Sequence, residues 1–258
     1  MSRAARTIDL NADLGEGFGP WRMGDDAAML GIVTSANVAC GFHAGDPDIM
    51  AKTFALACEK GVAVGAHVAF PDLVGFGRRP LPMTAAEIER AVAYQIGAAM
   101  GLAALAGGRI AYVKAHGALA SIAEKSVKVA DALARATRAV DRSLILLAIA
   151  LSEQAPAGER AGLRVAHEIF ADRAYVDDGR LQPRGEPGAV LTDPDAALAR
   201  VRVMLAEGAL VTISGKRLPT PIDSVCVHGD SAHAVDMARR LRAGLEADGY
   251  ALATFAGP

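Results

Sequence analysis

Hydrophobic and polar positions along the 258-residue chain repeat one theme. A short apolar or β-branched run ends in a polar motif and gives way to a longer, alanine-rich stretch at helical spacing. The short runs are residues 7–10, 37–40, 62–66, 109–113, 143–148, 163–166 and 224–227, each too short for a helix and each followed by turn residues. The longer stretches carry helix punctuation. Asp46-Pro47 and Asp193-Pro194 each set an N-cap acid before a proline suited to the first helical position. Thr84-Ala85-Ala86-Glu87 has the form of a capping box and opens a helix with Ile88, Val92, Ile96 and Ala103 on one face. Gly61 and Gly107 stand where helices should stop.

Strands alternating with helices predict parallel β-α units. An open doubly wound sheet would gather ligand contacts at its switch point, whereas a barrel collects them around one mouth. Nearly every predicted strand here is followed by His, Asp or Lys, which favours a (β/α) barrel of seven or eight strands. No linker rich in Pro, Gly or Ser interrupts the pattern, so one domain over residues 1–258 is expected, with a small hairpin or excursion within 209–221 before the last strand.

Composition sharpens this picture. Alanine supplies 55 residues, a helix former that fills little volume, so many helices should pack closely on something else. A net charge of −2 leaves no electrostatic footprint for nucleic acid or an anionic membrane. The longest apolar run, residues 144–151, is far below the length of a membrane span. The first residues are basic but lack the apolar core of a secretory signal. Three cysteines with no C-x-x-C pair read as structural thiols of a reduced, cytoplasmic protein.

The candidate chemistry lies at the strand ends. His43, His67, His116 and His228 each follow a predicted strand, and the first strand leads into Asn11, Asp13 and Glu16. Four such histidines with acids interspersed point to a catalytic mouth. Asp13, His43 and His116 would be the natural trio for a divalent metal. The same groups could instead act directly as acids, bases and hydrogen-bond donors, and no H-E-x-x-H motif favours the metal. Lys114 stands two residues before His116, on the same side of a continuing strand. A turn-rich segment, 70–79, ends in Arg78-Arg79, where Arg79 could clamp a carboxylate or phosphate or pair with the protein's own acids. Asp172, Arg173 and Asp230 are further candidates for substrate contact. No G-x-x-x-x-G-K-[ST] loop or G-x-S-x-G elbow occurs, and Cys40 and Cys226 are expected to serve packing.

Taken together, these motifs resemble the LamB/YcsF family. The matching blocks are Ile8-Asp9-Leu10-Asn11 with Asp13-Leu14-Gly15-Glu16, residues 35–47, Gly65-Ala66-His67, Phe70-Pro71-Asp72 with Gly75-Phe76-Gly77-Arg78-Arg79, and Val113-Lys114 with His116-Gly117-Ala118-Leu119. Later come residues 170–175, Pro187-Gly188-Ala189-Val190 and Cys226-Val227-His228-Gly229-Asp230. Ala12, Val68-Ala69, Ala115, Ala120 and Ser231-Ala232-His233 depart from the family's pattern, and none of them removes a candidate acid, base or ligand. The resemblance implies a barrel of the glycoside hydrolase/deacetylase type with seven strands. It also implies ring-opening of 5-oxoproline (pyroglutamate) to glutamate, driven by ATP and carried out with the B and C subunits of a 5-oxoprolinase. Because the chain has no phosphate loop of its own, ATP would be bound with those partners, which would activate the lactam. Asp13 or His116 would be the base, Lys114 and His43 would stabilise negative charge, and Arg79 would hold the substrate's carboxylate or phosphate. Two rivals are a stand-alone metal-dependent amidohydrolase or deacetylase and a non-catalytic, lactam-binding component of the complex. All three are compatible with a homo-oligomer.

Overall fold

The computed structural model describes residues 6–229 and 233–257. Its strands are β1 (Arg6–Leu14), β2 (Ser35–Ala39), β3 (Ala63–Val68), β4 (Ile110–Ala115), β5 (Ile145–Ile149), β6 (Arg164–Phe170), β7 (Ala209–Val211), β8 (Arg217–Pro219), β9 (Ser224–Val227) and β10 (Tyr250–Leu252). The helices are α1 (Asp26–Met29), α2 (Pro47–Glu59), α3 (Ala85–Leu105), α4 (Gly117–Ala123), α5 (Val127–Val140), α6 (Gln154–Arg160), α7 (Pro194–Glu207) and α8 (Ala234–Ala247). β1 to β6 pair in chain order, all parallel, and β9 pairs with both β6 and β1. Seven strands therefore close a barrel with the helices outside. β7 and β8 form the small antiparallel hairpin expected within 209–221. No helix among the described residues is long and apolar enough to cross a membrane.

The helix starts follow the local chemistry read from the sequence. Asp46 and Asp193 accept backbone N–H bonds at their helix N-termini ahead of Pro47 and Pro194. Thr84 and Glu87 cap α3 reciprocally. Buried alanines such as Ala57, Ala99, Ala103 and Ala134 bring the helices close to the barrel.

The first strand is longer than the run of 7–10 predicted for it, extending through Leu14. Its alternation explains why. Ile8, Leu10, Ala12 and Leu14 belong to the apolar layer between strands and helices. Asp9, Asn11 and Asp13 alternate with them and bond across the barrel interior to Ser35, Asn37, Ser224 and Lys114. A strand whose inner face is polar reads as a loop when polarity alone is scored, yet its period of two is intact. β6 likewise runs through Phe170, beyond the predicted 163–166, and carries Glu168 to the same interior.

The other half of the interior is apolar. Tyr112, Ile145, Leu147 and Ala166 form a separate cluster joined by Phe255, which meets the Tyr112 ring at 5.0 Å. β10 pairs with β1 along Arg6–Ile8, so the C-terminal residues lie at the end where the strands begin. The opposite end, where they finish, holds the candidate chemistry.

Candidate active site

A cavity of about 430 Å³ opens at the C-terminal ends of the strands, lined by Asp13, His67, Lys114, His116, Arg173 and His228 among others. The strands set these side chains by register. Asp13 pairs with Asn37 across β1 and β2, and His67 with Lys114 across β3 and β4. Each points inward from a strand end. His116 follows β4 at the N-cap of α4.

Lys114 is the hub of the floor. Its Nζ lies 3.0 Å from Asp13 Oδ1, 3.0 Å from Glu168 Oε2, 3.1 Å from Cys226 Sγ and 3.4 Å from Asn11 Oδ1. Burial opposes the ammonium, but the carboxylates of Asp13 and Glu168 outweigh it and hold the Lys114 pKa well above its ordinary value. Burial would raise Asp13, yet His67 and Lys114 keep its carboxyl well below the usual range. Glu168 goes the other way: burial raises it, and Lys114 offsets only part of that rise. Burial pushes the Cys226 thiol well up despite Lys114, which leaves it a thiol and not a nucleophile. Below this hub the polar contacts continue through Asn11, Asn37 and Ser224 to Asp9, and the Tyr112 hydroxyl donates to Asn37 Oδ1 at 2.7 Å.

Beside the hub lie three imidazoles and one carboxylate. His43, His67, His116 and Glu16 are all buried, and each offers a donor atom within 4.8 Å of the others, a group able to hold a metal ion. Of the metal trio read from the sequence, His43 and His116 belong to this group. Asp13 stands at its edge, with Oδ2 3.3 Å from His67 Nε2, while His67 and Glu16 complete the group. The His43 and His116 rings stack with centroids 3.8 Å apart. Burial, then neighbouring imidazoles, hold both well below the ordinary histidine pKa, so both rings are neutral near pH 7. His43 Nε2 meets Glu16 Oε1 at 3.2 Å, and its buried Nδ1 has no hydrogen-bond partner.

The turn-rich segment 70–79 folds over these rings. Phe76 has φ of 53°, a left-handed conformation costly for a bulky residue. Its carbonyl there accepts from His116 Nε2 at 2.9 Å. Gly77, at φ 64°, lets the chain pass so close that a Cβ would sit 2.7 Å from His43 Cβ and 2.9 Å from His116 Cδ2. The segment is therefore shaped around the imidazoles.

On the opposite side His228 Nδ1 lies 2.8 Å from Asp172 Oδ2, and its ring stacks on Phe170. Burial would raise Asp172, but His228 holds it below the usual carboxylate range. Arg173 anchors on the carbonyls of Ala189 and Gln182, and burial beside Arg184 brings its pKa down to about 10. Arg79, the clamp considered from the sequence, has its guanidinium on Asp72, and its side chain is 61% exposed. Its neighbour Arg78 lines the cavity in its place. Asp230 lies outside the described residues.

Several residues of the interior network, Asn37, Tyr112 and Glu168 among them, were not among the sequence candidates. In the sequence Asn37 and Tyr112 read as ordinary strand positions, and Glu168 lies just beyond the predicted run 163–166. The available signal was the alternation itself: a polar side chain every second residue, flanked by buried apolar ones, with no open face for it except the barrel axis.

Comparison with known proteins finds relatives in sequence and in fold. A protein of Gluconobacter oxydans, named as the A subunit of 5-oxoprolinase, is 60% identical over 248 residues, covering 96% of this chain and 98% of that one. The crystal structure of a lactam utilization protein from Thermus thermophilus superposes with a TM-score of 0.91 at 40% identity, covering 96% of this chain and 100% of that one. At 12% identity, the catalytic domain of a peptidoglycan N-acetylglucosamine deacetylase from Eubacterium rectale superposes with a TM-score of 0.52, covering 100% of this chain and 93% of that one, and shares the fold alone. The LamB/YcsF description itself matches residues 8–258. The chain therefore belongs to the LamB/YcsF family.

Proposed function

We propose that this chain is the A subunit of an ATP-dependent 5-oxoprolinase, opening the ring of 5-oxoproline to give glutamate in a cytoplasmic complex with B and C subunits. The observation that carries the reading is 60% identity over nearly the full length of a relative bearing that name. The site chemistry supports it: a small cavity with the fixed ammonium of Lys114, an Asp–His pair and arginines fits a small anion containing one amide bond.

A lactam carbonyl resists water, which makes ATP activation reasonable. Subunits B and C would phosphorylate the carbonyl oxygen, and the activated ring would sit in the cavity of this chain. His228 is the best-placed base. Asp172 accepts its Nδ1–H and so fixes the tautomer that presents Nε2 as acceptor. His116 is a poorer choice, because its Nε2 is engaged with Phe76 and its Nδ1 faces His67. Asp13 is engaged by Lys114 and Asn37, so its role is to hold the ammonium. Water adds to the activated carbon as His228 takes its proton. The Lys114 ammonium lies beside the negative charge that develops. The ring C–N bond then breaks, its nitrogen recovers the proton from His228, and a second water hydrolyses the resulting acyl phosphate to glutamate and phosphate. Arg78 and Arg173 suit the anionic groups of the substrate.

The test is glutamate release from 5-oxoproline and ATP with the three subunits mixed and then omitted in turn. Turnover is expected only with all three. ATP hydrolysis by this chain alone in the presence of 5-oxoproline would overturn the division of labour.

A further inference from the structure

Two imidazole nitrogens face one another beside the floor of the cavity, 3.0 Å apart. His67 directs Nδ1 at the carbonyl of Lys114, 3.3 Å away, and His116 directs Nε2 at the carbonyl of Phe76, 2.9 Å away. A carbonyl only accepts, so each ring spends its N–H there. With both rings neutral, His67 Nε2 and His116 Nδ1 are then both lone pairs, and they lie 3.0 Å apart. Asp13 Oδ2 is 3.3 Å from the first and Glu16 Oε1 is 3.6 Å from the second. Electron-rich atoms converging in this way repel one another unless a proton or a metal ion lies among them.

Anchoring the distal N–H of a histidine on a backbone carbonyl is the support that metal-binding imidazoles characteristically receive. Two nitrogens 3.0 Å apart also match adjacent ligands on one ion at bond lengths of about 2.1 Å. His43 is not such a ligand in this arrangement. Its ring lies parallel to that of His116, with 9° between planes and 3.8 Å between centroids, so their in-plane lone pairs run side by side and do not meet. It acts on Glu16, holding Oε1 through Nε2 at 3.2 Å.

We infer that His67 Nε2, His116 Nδ1 and Glu16 Oε1 bind one divalent transition-metal ion, with His43 positioning Glu16 and Asp13 alongside. Imidazole with carboxylate suits zinc, cobalt or nickel and not calcium. A bound ion would supply Lewis acidity to a carbonyl oxygen or to a water at this wall of the cavity. The inference is independent of the lactam reading, because metal uptake is measured without substrate or partner subunits.

The test begins with elemental analysis of the full chain purified without chelator, then titration of the stripped chain with cobalt(II), read by its visible absorption. One equivalent per chain is expected. His43→Ala should weaken uptake about 10- to 100-fold, as loss of a ligand's support does. The double substitution His67→Ala with His116→Ala should abolish stoichiometric uptake, while His228→Ala retains it. Thermal unfolding of each variant shows whether it folds, and the unaltered chain decides the matter if one does not. A stripped chain that takes up no cobalt at micromolar concentration, with ¹⁵N spectra showing one of the two imidazoles doubly protonated, overturns the inference. Uptake unchanged by the double substitution overturns it equally.

Discussion

Asp9 sits inside the barrel below the hub, almost wholly buried, accepting hydroxyl bonds from Thr34, Ser35 and Ser224. Burial, only partly offset by those hydroxyls, raises its pKa from 3.8 to about 6. A carboxyl whose folded pKa is raised favours the native state most below its unfolded pKa and loses that advantage as pH rises through the folded value. The full difference is about 3 kcal/mol, at about 1.4 kcal/mol for each pH unit of separation. Between about pH 4.5 and about pH 8, roughly 2 kcal/mol of it should be lost. Asp9→Asn removes this dependence while keeping the shape. Its amide would rearrange the bond to Ser224, at a cost that does not vary with pH. The quantity to measure is therefore the stability of the variant minus that of the parent, from urea unfolding at both pH values. It should move in favour of the variant by about 2 kcal/mol from the lower pH to the higher. All other titrating groups are shared, so parallel stability profiles for the two proteins would refute the reasoning.

Three further outcomes follow from the geometry. Asp172→Asn should lower kcat for glutamate release by the reconstituted complex about 10²- to 10⁴-fold, with KM changed much less, because the His228 tautomer is no longer fixed. Lys114→Met should destabilise the chain by about 3–5 kcal/mol in urea unfolding, since Asp13 and Glu168 lose their common cation in the interior. Gly65→Ala should lower the melting temperature and cost at least about 1–3 kcal/mol, because its Cβ would lie 2.2 Å from Cε2 of the Tyr112 ring inside the barrel.

The repeating strand–helix order, the caps of α2, α3 and α7, the hairpin after α7, and the strand-end positions of His43, His67, His116 and His228 were all legible in the amino-acid sequence. These are local signals: turn residues, capping oxygens and a switch of hydrophobic period, each written within a few neighbouring residues. Polar inner faces concealed the true lengths of β1 and β6, because an Asp, Asn or Glu in a strand suggests a loop until the barrel supplies an interior lined with partners. Partnership was settled by closure of the barrel. Lys114 and Asp13 are 101 residues apart, Lys114 and Cys226 112 apart, and Asn11 and Ser224 213 apart, and nothing local encodes which acid meets which cation. The same holds for Arg79, drawn to Asp72 while Arg78 faces the cavity, and for Glu16 and His67 joining His43 and His116 around one point. Propensity and capping act over one or two turns of chain. Charge pairing and hydrogen bonding act through space over a few ångströms, and only the closed barrel brings those strand ends that near.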